Sequence, residues 1–170
     1  METNQNSLNI FMVDDDADDC LLLMEGLKES QIDFDLRHVP DGDALMDYLQ
    51  RQSKFIDPEH GQRPFIILLD LNMPGKDGRD VLFEIKSIPE LKHIPVVVYT
   101  SSTDEEDVRR CYALGANSYI IKPAGWDQLI HMIKNLFSYW TQTVRLPKVE
   151  LIASPKNADQ ELPMRLDHAV

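Results

Sequence analysis

The sequence predicts a single α/β domain built on a parallel sheet. Apolar strand-like runs alternate with helix-like stretches along most of the chain, the pattern that yields parallel strands joined by right-handed crossovers. Four of the runs end in a charged or hydroxyl-bearing residue. The chain has 170 residues, of which 43% are hydrophobic, enough to bury one ordinary core with some excess.

The first run, Leu8 to Val13, ends in Asp14-Asp15. Asp18 to Ser30 follows as a helix, with Leu21, Leu22, Met24 and Leu27 at helical spacing and Gly26 a mild weakness. Phe34 to Val39 alternates with period two, as a half-exposed edge strand does. Pro40-Asp41-Gly42 is a turn, and Asp43 to Arg51 is amphipathic through Ala44, Leu45, Tyr48 and Leu49. Ser53 to Pro64 is polar and punctuated by Pro58, Gly61 and Pro64, so a long loop is expected.

Phe65 to Leu69 is the third strand and runs into Asp70. Asn72-Met73-Pro74-Gly75 turns the chain into a helix from Gly78 to Ser87, with Val81, Leu82 and Ile85 inward. Pro95 to Tyr99 ends in Thr100-Ser101, and Thr103-Asp104-Glu105-Glu106 has the form of a capping box opening a helix that stops at Gly115. Ser118 to Ile121 ends in Lys122-Pro123. The last helix, Trp126 to Tyr139, carries Leu129, Ile130, Ile133, Leu136 and Phe137 on one face. The domain is expected over 8–140, with 141–170 a proline-broken extension lacking an output domain.

Composition narrows the function classes. The 29 acidic residues outnumber 17 basic ones, for a formal charge of −12, and no basic cluster interrupts that balance. Nucleic acid and anionic membranes would repel such a surface. Cys20 and Cys111 lie inside apolar helical patterns and read as small buried thiols of a reducing compartment. The five histidines have no zinc-like spacing, and no stretch reads as a signal peptide or membrane span. The expectation is a cytoplasmic protein.

In parallel sheets, ligands bind at the carboxyl ends of the strands. An acid pair, a carboxylate, a hydroxyl and an ammonium at matched strand ends point to one pocket. Asp14, Asp15 and Asp70 brought together repel one another and favour a hard cation such as Mg²⁺. Such an ion neutralises charge on a phosphoryl group in transfer. Lys122 is suited to pair with Asp70 or a phosphate oxygen, Thr100 to hydrogen-bond the same oxygens, and Asp70 to accept a phosphoryl group covalently. Each residue alone has an ordinary explanation: Asp16, Asp18 and Asp19 suit a helix start, a Thr after a strand is a turn, and a Lys-Pro is surface. The joint pattern favours the pocket.

Val13-Asp14-Asp15, Leu69-Asp70-Leu71-Asn72-Met73-Pro74, Asp77-Gly78, Tyr99-Thr100-Ser101 and Ile121-Lys122-Pro123, in this order, resemble the receiver domain of two-component response regulators. The resemblance implies a flavodoxin-like (βα)5 fold with strand order 2-1-3-4-5 and a signalling module, not an enzyme. It implies phosphorylation of Asp70 by a histidine kinase or phosphotransfer protein, with Lys122 and Thr100 on the phosphoryl group. It assigns Mg²⁺ to Asp15 and Asp70, to the Asn72 backbone carbonyl, and to Asp14 through water. It further implies a cis Lys122–Pro123 bond and a switch in which Thr100 and Tyr119 move together. Such a switch needs about 5.5 kcal/mol of differential interaction and would alter the surface from Thr103 to Tyr139. Tyr119 as a plain packing aromatic is the ordinary alternative.

Two features depart from the common pattern: Ala124-Gly125-Trp126 after Pro123, and the long loop. Phe137 to Trp140 followed by Val144 to Pro147 is similar to small regulators paired with bacterial phytochromes. That similarity implies a phytochrome-type kinase and a homodimer through the last helix region, with Tyr139 and Trp140 either at the interface or capping the core.

Three other readings compete. Asp14, Asp16, Asp18 and Glu25 have calcium-loop spacing, but Asp19 stands where that loop needs Gly, and a strand precedes it. A haloacid dehalogenase-like phosphatase would use Asp70 as nucleophile but needs a second Asp where Asn72 stands. An interaction module with a relic pocket would have lost some of these residues.

Overall fold

The computed structural model describes residues 8–54 and 64–146, without the side chains of 51–54. Five parallel strands, β1 (Leu8–Val13), β2 (Phe34–Val39), β3 (Ile66–Leu69), β4 (Val96–Thr100) and β5 (Ser118–Ile121), form one sheet in the order β2-β1-β3-β4-β5. Five helices alternate with them: α1 (Ala17–Glu29), α2 (Gly42–Lys54), α3 (Gly78–Ser87), α4 (Glu105–Ala113) and α5 (Trp126–Ser138). This is the expected doubly wound architecture.

Successive side chains of a strand point to opposite faces, so the sheet feeds two cores. Phe11, Val13, Ile67, Leu69 and Val98 pack with α2, α3 and α4 on one face. Ile10, Met12, Ile66, Leu68 and Tyr99 pack with α1 and α5 on the other. Strands covered on both faces read as unbroken apolar runs, which is why β1, β3 and β4 were plain in the sequence.

The inward face of α1 is Leu23, Gly26 and Leu27; Leu21 and Leu22 are about half exposed. Of the four apolar residues at helical spacing, Leu27 alone is fully buried. Gly26 hides the true stripe because it adds no apolar side chain, yet a Cβ there would lie 2.5 Å from Ile133 Cδ1 of α5. Helix α2 continues to Lys54, so Ser53 belongs to a helix and not to the expected loop, the remainder of which lies outside the described residues apart from Pro64. Helix α4 is capped by Asp104, whose side chain accepts from the Glu106 amide; Thr103 is not the cap. A carboxylate at that position also suits the helix dipole.

Helix α5 buries all five expected residues and then loosens into a π-helical turn, Tyr139–Thr143. Trp140 is buried against the second core and so caps it, whereas Tyr139 is half exposed. Val144 and Leu146 pack against the same core, so the packing runs past Trp140. Among the described residues no peptide bond is cis. The Lys122–Pro123 bond is therefore trans, the form an X–Pro bond intrinsically favours, and the Lys122 ammonium reaches the pocket from that backbone.

Candidate functional site

The strand registers bring the expected residues to one edge of the sheet. Val13 pairs with Leu69, Leu69 with Val98, and Thr100 with Ile121. Asp14, Asp70 and Lys122 each stand one step beyond their strand, and Thr100 closes β4. One carboxylate oxygen from each of Asp14, Asp15 and Asp70 lies within 4.8 Å of the others.

Local bonds aim these groups. Asp14 is buried, its Oδ1 accepts from the Asp16 amide, and its backbone carbonyl accepts from His38 Nε2 at 2.7 Å. Asp70 is buried, with Oδ1 accepting from the Leu71 amide at 2.9 Å. A Cβ at Gly78 would lie 2.1 Å from the Asp70 carbonyl oxygen and 2.8 Å from Leu71 Cα. Only glycine lets the start of α3 close on the end of β3, where the Gly78 amide donates to the Leu71 carbonyl. Asn72 lies exposed in the turn between them.

Lys122 Nζ lies 2.7 Å from Asp14 Oδ2, 2.7 Å from Asp19 Oδ2 and 3.7 Å from Asp70 Oδ2. The expected pairing with Asp70 is present at the longest of these distances, and the shorter partners are Asp14 and Asp19. Asp19, read as a helix-start acid, is a member of the pocket. The signal was its spacing: two residues past α1's first, a side chain turns back toward the strand ends. Burial alone would lower the Lys122 ammonium, but hydrogen bonds to Asp14 and Asp19 and the charges of Asp14 and Asp70 reverse this and raise it. Burial pushes the Asp14 carboxyl up, aided by the Asp70 charge and opposed by Lys122 and the Asp16 amide.

Beyond the charged floor, Thr100 is fully buried, and its hydroxyl is 3.4 Å from the Ser102 amide. Tyr119 is half buried against the first core and donates its hydroxyl to the Ser102 carbonyl at 3.1 Å. Ser102 also donates to Asp107 of α4, which pairs with Arg79 of α3. Thr100, Ser102, Tyr119 and α4 are therefore joined by a chain of hydrogen bonds whose Thr100 step is long, a link the sequence could not show.

The family model for the response regulator receiver domain matches residues 10–134. The chain belongs to that family. Among curated members, it is 46% identical over 138 residues to the response regulator Rcp1 of Synechocystis, which covers 81% of this chain and 92% of the relative. The phosphorylated cyanobacterial phytochrome response regulator RcpA superposes with a TM-score of 0.73 at 43% identity, covering 84% of this chain and 99% of that one. A Mn²⁺-bound structure of Rcp1 gives 0.71 at 45% identity, with 83% and 99% covered. Receiver domains hold a divalent metal in an acidic pocket, and the all-oxygen donor set of Asp14, Asp15 and Asp70 fits such an ion. No helix among the described residues is long and apolar enough to cross a membrane.

Proposed function

We propose that this receiver domain takes up a phosphoryl group on Asp70 and passes the change to the surface formed by α4, β5 and α5. The carrying observation is the meeting of three carboxylates with the Lys122 ammonium at the strand ends. Asp70 Oδ2 is the acceptor, since Oδ1 is engaged by the Leu71 amide. It attacks phosphorus in line; the Oδ2–P bond forms as the N–P bond of a phosphohistidine breaks, and the departing imidazole nitrogen picks up a proton. Lys122 and Thr100 receive the phosphoryl oxygens.

Asp14, Asp15, Asp70 and the Asn72 backbone carbonyl would hold Mg²⁺, which supplies positive charge against the phosphoryl oxygens. Thr100 then draws Ser102 and Tyr119 with it, moving α4 through Asp107. The donor is a sensor histidine kinase or phosphotransfer protein; the likeness to RcpA and Rcp1 supports a phytochrome-type kinase. The receiver unit is 8–140, and the first residues of the 141–170 extension pack on it. A second copy would dock through the end of α5 with Tyr139 at the contact. The −12 charge argues against direct nucleic-acid and membrane binding, and the free thiols suit the cytoplasm.

The phosphatase alternative is not favoured by the family match, and Asn72 stands where its acid/base Asp is needed. Incubation with acetyl phosphate and Mg²⁺, followed by intact-mass measurement, tests the reading. One phosphoryl equivalent on the wild type and none on Asp70→Asn supports it. Sustained multiple turnover, or no label at all, overturns it.

A further inference from the structure

Lys122 must serve a phosphoryl group on Asp70, yet its ammonium is closer to two other acids. Asp14 Oδ2 and Asp19 Oδ2 each lie at 2.7 Å, while Asp70 Oδ2 at 3.7 Å is outside hydrogen-bond range. Asp14 belongs to the carboxylate trio that would face a metal; Asp19 does not. It comes from the first turn of α1, at a position the helix dipole favours for any acid. The dipole does not explain the contact, because Asp18 on the same turn is exposed and has no bond to Lys122 among the described contacts. Asp19 side-chain exposure is 32% against 15% for Lys122, so the pair is neither free surface nor sealed core.

We propose that Asp19 is a positioning residue that holds Lys122 back from Asp70 and thereby weakens the pocket's grip on a phosphoryl group. This inference rests on the assignment of Asp70 as acceptor. Asp14 would be shared with a bound metal, so Asp19 is the partner that would keep its full charge for Lys122 when the pocket fills. To meet the phosphoryl oxygens, the ammonium must give up or stretch its bond to Asp19. A charge-assisted bond opposes that move. The same acid that supports the empty pocket thus taxes the filled one.

The test uses the full chain and beryllofluoride as the phosphoryl mimic, titrated at saturating Mg²⁺. Asp19→Asn keeps the shape and removes the charge; it is expected to bind the mimic about three- to tenfold tighter than wild type. Asp18→Asn makes the same change in net charge without the contact and should stay near wild type. Structural damage would weaken binding, so a gain reports position and not disorder. Asp19→Ser gives a second variant should the amide misfold, and it should also tighten binding. In a Lys122→Met background the Asp19→Asn gain should vanish. Equal effects of Asp18→Asn and Asp19→Asn, weaker binding by both Asp19 variants, or a gain that persists without Lys122 each overturn the inference while leaving Asp70 as acceptor. A wild type that fails to bind the mimic overturns both.

Discussion

Lys122→Met removes the one cation among the described residues that touches Asp14. It deletes two charge-assisted bonds of 2.7 Å and leaves Asp14, 1% exposed, beside Asp15 and Asp70. Breaking a buried pair by deleting one partner costs ~3–5 kcal/mol when the other stays charged. Asp19 keeps access to water, so its own share is within ~1 kcal/mol. Asp14 can take up a proton, which relieves part of the cost, and a net loss of about 2–4 kcal/mol near neutral pH is expected.

The pH dependence has a definite sign. Lys122 is raised in the fold, so its stabilisation is complete below its ordinary 10.5 and is lost as pH rises through the higher folded value. In the variant, Asp14 is raised further. A carboxyl raised by folding destabilises the native state above its ordinary 3.8, with the penalty levelling off at the folded value. The gap between wild type and variant is therefore widest near neutrality and narrows toward both extremes. Urea unfolding across pH measures it, and added Mg²⁺ should recover more stability in the variant than in wild type. A variant as stable as wild type near neutral pH, or a gap that widens in acid, refutes the reasoning.

Gly78→Ala forces a methyl group into the Asp70 carbonyl and should cost several-fold in Mg²⁺ affinity as well as stability; unchanged metal binding by calorimetry would contradict the close-approach argument. Thr100→Ala deletes a hydroxyl with one long bond, so stability should change by no more than about 1 kcal/mol. Labelling of Asp70 should persist while the chemical-shift response of α4 to beryllofluoride is lost; a full response would remove Thr100 from the switch. Arg79→Ala frees Asp107, whose carboxyl is held low by Arg79 and then by Ser102. A lowered carboxyl stabilises above its ordinary 3.8 and loses that as pH falls through the folded value. Thermal unfolding should thus show a loss of about 1–3 kcal/mol near neutrality that shrinks in acid.

The parts of the fold that sequence reading recovered are those with unbroken burial or a single wide stripe. Strands β1, β3 and β4 are covered on both faces, and α5 buries Leu129, Ile130, Ile133, Leu136 and Phe137 together. Helix α1 misled because a glycine, Gly26, packs tightly against Ile133 of α5, and no apolar pattern marks it. The meeting of the candidate residues was legible because parallel strands deliver their ends to one edge of the sheet, which is where Asp14, Asp70, Thr100 and Lys122 stand. The ammonium's choice among four acids was not legible, since it depends on a helix turning Asp19 back over the strand ends. The Ser102–Asp107–Arg79 link was hidden for a related reason: Arg79 comes from a different helix, 28 residues from Asp107, and nothing in the type or spacing of the three residues marks them as partners.

Borohydride reduction of the acetyl-phosphate-treated protein, followed by peptide mass spectrometry, reads the acceptor directly, because an acyl phosphate becomes an alcohol. Homoserine at position 70, formed only with Mg²⁺ present, is the result this pocket predicts. Homoserine at another acid such as Asp14 or Asp15, or none anywhere on a folded, metal-loaded chain, would contradict it.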